Sequence, residues 1–225
     1  MTSLPDALQA FRDGEVARAR ALLDTLDAQD ELGPHGLLLL ALVQRREEAG
    51  TDDLLTVQRA VDAAPDDATV LLRAARTAGW GAGFGLGASP RSAAHPPDLA
   101  LASALVERAL TLAPDEVAAW TTAYDVAERL GRQHAALDAL TRAVALAPDD
   151  EDLRLRLVDT LIGLRDPEQA LAHARTGTGP ALRDRTAELA AELQTPDAVE
   201  AALAAHASAP DRWPLAAARL VRAGD

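Results

Sequence analysis

The sequence predicts an all-α chain, a solenoid of antiparallel helix hairpins, and three observations predict it. The first is composition. Hydrophobic residues make up 48% of the chain and aromatics only 3%. A core of Ala, Leu and Val with few large rings suits many short helices packed closely, and alanine is the best helix former. The second is a missing signal: no β-branched run alternates with period two between turn residues. The third is internal repetition. Ala64-Pro65-Asp66, Ala113-Pro114-Asp115 and Ala147-Pro148-Asp149 each follow an apolar helical stretch, and the last two prolines lie 34 residues apart.

The elements follow in chain order. Gly14, Ala19 and Leu23 mark a degenerate first hairpin. Pro34 to Pro65 reads as the second, with Leu37, Leu40 and Ala41 on its first helix and Val57 and Ala60 on its second. Leu71–Ala78 and Asp98–Leu112 form a third pair around a long insertion. Each closing proline follows a similar stretch: Gln58-Arg59-Ala60-Val61, Glu107-Arg108-Ala109-Leu110 and Thr141-Arg142-Ala143-Val144. Proline lacks the N–H and clashes with the preceding turn, so it closes the helix. The Asp after it is expected to cap the next one.

The unit from Val117 to Pro148 is the clearest. Trp120 supplies an aromatic early in its first helix, expected to bury for about 2–3 kcal/mol. Leu130-Gly131 marks the inter-helix turn, and Ala136, Leu140, Ala143 and Pro148 give small, large, small and closing positions. These residues resemble the tetratricopeptide repeat family, with Tyr124 departing from its usual small residue. The following unit, from Glu151, carries Leu157, Leu161 and Leu164, a turn at Asp166-Pro167, and Ala170 at the small position. Ala181–Gln194 and Pro196–Ala209 read as a shortened hairpin ending at Pro210, and Asp211–Ala223 as a closing helix. The resemblance implies a right-handed superhelix of about six hairpins plus that closing helix. It implies one domain over residues 1–225 and a concave groove lined by the first helices of successive repeats.

One insertion breaks the period. Pro65 and Pro114 are 49 residues apart, and the excess falls at Gly79–Pro97. Gly79-Trp80-Gly81-Ala82-Gly83-Phe84-Gly85-Leu86-Gly87 alternates glycine, which is expected to exclude helix. Long loops in compact arrays are often functional, and Trp80 and Phe84 place large apolar groups here. A lid over a ligand and a merely tucked loop are both open readings. No register gives G-x-G-x-x-G and no Lys follows, so a phosphate cradle is not expected.

Chemistry is sparse. There is no cysteine, and His35, His95, His134, His173 and His206 fall at no paired metal-ligand spacing. No nucleophile elbow is present. The clusters Asp52-Asp53, Asp66-Asp67 and Asp149-Asp150-Glu151 sit at predicted helix starts, where capping and the helix dipole account for them. The expectation is therefore no enzyme, no cofactor and no metal. A net charge of −13 argues against nucleic-acid and anionic-membrane partners. Met1 to Gly14 has no basic start followed by an apolar stretch, so no leader and a cytoplasmic location are expected.

What remains is the groove. Helical spacing nominates Leu38, Leu42, Arg45, Leu72, Arg76, Thr121, Asp125, Glu128, Asp159 and Ile162, with Trp80 and Phe84 from the loop. Basic groups come early and acidic ones late, a polarity able to orient an extended peptide or partner helix. The expected function is a protein-interaction scaffold holding a peptide or protein segment. A self-associating homodimer module and a small-molecule binder with a loop lid are the alternatives. Lys and Asn are both absent from the chain, which speaks against the Lys/Asn clamp that some family members close on a terminal carboxylate.

Overall fold

A computed structural model describes residues 3–47, 52–80 and 97–193. Among them lie eleven α-helices and no strand. The contacts divide the chain into two compact units, Met1–Arg132 and Gln133–Asp225.

The first unit holds α1 (Leu4–Arg12), α2 (Val16–Ala28), α3 (Pro34–Arg46), α4 (Asp52–Ala63), α5 (Ala68–Trp80), α6 (Leu99–Leu112) and α7 (Val117–Arg129). Helices α1 and α2, α3 and α4, and α5 and α6 pack as hairpins. The odd-numbered helices also touch in series, α1 on α3, α3 on α5 and α5 on α7, giving one continuous layer. Helix α3 is apolar nearly all round because it serves two cores, as expected of a fully enclosed helix. Leu39, Leu40 and Val43 join Phe11, Ala19 and Leu23. Leu37, Leu38 and Ala41 join Val57, Ala60, Leu71 and Leu105.

The second unit holds α8 (Gln133–Leu146), α9 (Glu151–Gly163), α10 (Pro167–Ala174) and α11 (Pro180–Glu192). Its core is built from Leu140, Leu157, Leu161, Leu171, Leu182 and Leu189. The small positions behave as the repeat requires: Ala60, Ala109, Ala143 and Ala170 are all fully buried, so neighbouring helices approach closely there.

The turns repeat as well. Gly14, Asp30, Gly131 and Arg165 all have positive φ. At each, the next residue's N–H reaches back to the last helical turn, as Arg132 does to Ala127 and Asp166 to Leu161. Gly131 and Arg165 lie 34 residues apart, the spacing of the closing prolines. Trp120 and Arg154 show the same interval, and each donates to the carbonyl of the closing proline before it, Pro114 and Pro148.

Three expectations need correcting. The caps fall one residue later than the Asp after each proline. Asp67 accepts from the N–H groups of Thr69 and Val70, and Asp150 from that of Leu153. At the third site Glu116 makes no side-chain cap. Trp120 is half-buried rather than buried, because its indole N–H turns back to Pro114 at 2.7 Å. Glycine does not end α5 at Ala78: the helix continues through Gly79 to Trp80. A Cβ at Gly79 would meet that of Ala102 at 3.1 Å, so this glycine allows α5 and α6 to approach. Tyr124, the departure from the family pattern, is accommodated inside, and its hydroxyl donates to Glu128. Residues 81–96, with Phe84 and Leu86, and residues 194–225, with the final expected helices, lie outside the described residues.

Candidate binding pocket

The layer of α1, α3 and α5 opens into a pocket of about 290 Å³. Its floor is apolar, made by Leu4 and Leu8 of α1 and Leu38, Leu39 and Leu42 of α3. Its polar groups are His35 of α3 and Arg73, Arg76 and Thr77 of α5. The spacing is that of helix faces: residues 4 and 8, then 35, 38, 39 and 42, then 73, 76 and 77. The volume sits at the small end of ligand pockets, roughly 300–1,000 Å³. It suits one or two side chains rather than a large cofactor.

Arg76 is held in place. Its Nε and Nη2 donate to the Thr122 hydroxyl at 3.2 and 2.9 Å, and that hydroxyl donates to the Ala118 carbonyl at 2.6 Å. Arg73 is exposed; its carbonyl accepts from the Thr77 hydroxyl at 2.9 Å, while its guanidinium makes no hydrogen bond or ion pair among the described residues.

Behind the pocket, α5 is anchored at its C-terminus. The last four carbonyls of a helix lack partners within it. Arg45 Nη1 donates to Thr77 and Ala78 at 2.7 and 3.2 Å, and Arg129 donates to Gly79 at 3.3 Å. The Asp98 N–H also reaches the Ala78 carbonyl at 2.9 Å, joining the start of α6 to the end of α5. Arg45 in turn pairs with Asp53 at 2.6 Å, both side chains 2% exposed. Cations at a helix C-terminus also complement its dipole. Thr77 thus both lines the pocket and receives Arg45 through its backbone carbonyl.

The sequence-derived candidates separate accordingly. Leu38, Leu42 and Arg76 meet in the pocket. Arg45 does not face a groove. It shares the register of Leu38 and Leu42, but the end of α5 and Asp53 of α4 enclose it. Leu72 is a core residue. Thr121 and Asp125 lie half-buried on α7, Thr121 donating to Ala118, and Glu128 is exposed. Asp159 belongs to the second unit, where it pairs with Arg185 at 2.8 Å, and Ile162 is half-buried there. Trp80 ends α5; its side chain and Phe84 lie outside the described residues.

Leu4, Leu8, His35, Leu39, Arg73 and Thr77 were missed. Extending the Leu38–Leu42 register backwards and the Arg76 register to its neighbours would have found four of them, His35, Leu39, Arg73 and Thr77. Asp53 does stand at the start of α4, as expected of the Asp52-Asp53 cluster, and it is also the buried partner of Arg45. Among the described residues no group of three His, Asp or Glu side chains is placed to hold a metal. No described helix is long and apolar enough to cross a membrane.

Hairpins with a 34-residue period, buried alanines at the small positions and closing prolines define a tetratricopeptide-like, all-α solenoid fold. Solved structures share it. PilF of Pseudomonas aeruginosa is 15% identical, with a TM-score of 0.61 over 92% of this chain and 90% of that one. MamA of Desulfovibrio magneticus RS-1 is 14% identical, with a TM-score of 0.51 over 75% of this chain and 87% of that one. A TPR protein of Thermus thermophilus is 20% identical, with a TM-score of 0.50 over 83% of this chain and 96% of that one. No family model and no curated protein matches the chain. At these identities the likeness is one of fold.

Proposed function

We propose that this chain is a non-catalytic protein-interaction scaffold that holds a peptide or protein segment in the pocket formed by α1, α3 and α5. The observation that carries the reading is the pocket itself: an apolar floor rimmed by polar groups, set on helices rather than loops. Apolar anchors fixed by a few polar contacts are how grooves on helical surfaces take peptides. The fold supports it, because such repeats present extended surfaces to partners.

Affinity capture from the source lysate with wild-type protein and with Leu42→Asp tests this. Leu42 is half-buried and packs against the core of α1 and α3, so a thermal melt is run beside the capture to verify that the variant folds. The expected result is a partner retained by the wild type and lost by the variant while the variant remains folded. A partner retained equally by both contradicts the assignment of the pocket. Light scattering during size exclusion separates self-association: recovery of the chain's own copies as the sole partner transfers the reading to a homodimer.

A further inference from the structure

Resting on that reading, we infer that the pocket recognises an acidic segment, one that offers a single large apolar side chain with a carboxylate close beside it in sequence. The apolar half follows from the floor. Leu8, Leu38 and Leu42 leave a space of about 290 Å³, enough for an anchor side chain and little more.

The acidic half follows from the arginines. The chain carries 35 carboxylates and 22 arginines, so an arginine has carboxylates in excess to choose from. Arg18, Arg45 and Arg59 each take one, and Arg20 and Arg185 each take two. Arg73 and Arg76, one helical turn apart at the pocket, take none among the described residues. Arg76 is instead oriented by a neutral hydroxyl, that of Thr122. This fixes the guanidinium without spending its charge on an internal counter-ion. A pre-oriented guanidinium loses less freedom on binding, and its planar fork matches a carboxylate. In a chain of net charge −13, two adjacent cations beside an apolar pocket also select against apolar segments without an acid. This arrangement uses neither Lys nor Asn.

A phage-displayed random peptide library panned on the full chain provides the test. The expected winners carry Asp or Glu next to Leu, Ile, Met, Phe or Trp. Labelled synthetic winners, followed by fluorescence anisotropy, should bind the wild type less tightly as salt is added, and should bind Arg73→Glu about tenfold or more weakly than the wild type at low salt. They should not bind Leu42→Asp. Arg73 is exposed, so its replacement leaves folding intact, which a thermal melt verifies. Winners that lose Leu42→Asp but tolerate Arg73→Glu overturn the acidic specificity and leave the pocket reading standing. Winners indifferent to both variants overturn both readings. Octanoate, which has the apolar chain and carboxylate without a peptide backbone, is titrated in parallel. Its saturable binding with no peptide enriched, or no winner of any kind, overturns the inference as well.

Discussion

The two compact units each fasten helices that are not neighbours in sequence, and they do so in opposite environments. In the first, Arg45 of α3 and Asp53 of α4 form an enclosed pair that also ties down the end of α5. In the second, Glu151 at the start of α9 accepts from the backbone N–H and hydroxyl of Thr178, just ahead of α11, in an exposed setting. The enclosed device is costly to assemble, because both charges leave water, and costly to break, because the survivor is stranded. The exposed one is cheap in both directions. Rigidity is therefore concentrated at the end of α5. The anchored helix, α5, is the one that carries Arg73, Arg76 and Thr77 into the pocket.

The sharpest way to break the contrast is Asp53→Ala. It leaves Arg45 charged and enclosed, and should destabilise the protein by about 3–5 kcal/mol in urea unfolding. Replacing both partners with apolar residues, Arg45→Met with Asp53→Leu, should recover much of that loss. If the single and double variants are equally unstable, the pair acts through packing rather than charge. The turn residues give smaller effects. Gly131→Ala forces a side chain into a positive φ and should cost about 1 kcal/mol. Arg165 occupies the same turn position with a Cβ, so Arg165→Gly should gain up to about 1 kcal/mol. Denaturant midpoints measure both, and opposite signs are expected.

The smallest effect lies at Glu151. The hydrogen bonds from the Thr178 side chain and backbone hold its carboxyl below the usual carboxylate range. A depressed carboxyl contributes stability above its unfolded value, and the contribution disappears as pH falls through the folded value. Wild type should therefore melt slightly above Glu151→Gln at neutral pH, and the gap should close once pH drops well below about 4. A gap that persists in acid would assign the effect to something other than ionisation.

Much of the fold was legible because proline, alanine and glycine report directly on the backbone. The closing prolines at 65, 114 and 148, the buried alanines at 60, 109 and 143, and Gly131 needed only local rules. The site was less legible because a helical register gives a face but not what covers it. Leu38, Leu42 and Arg45 share one face, yet the first two line the pocket and the third is sealed behind it. Asp53 looked like one more acidic helix start, since nothing local tells that α3 delivers an arginine to it. Gly79 was read as a helix breaker, whereas donors from α3 and α7 complete the helix through it.

On the proposed reading the anchored face of α3 and α5, not the second unit, meets the partner. Hydrogen–deuterium exchange on the complex with a captured partner or selected peptide measures this directly. New protection is expected in Pro34–Arg46 and Ala68–Trp80, with exchange in Glu151–Gly163 unchanged. Protection confined to Glu151–Gly163, with α3 and α5 unaltered, would contradict it.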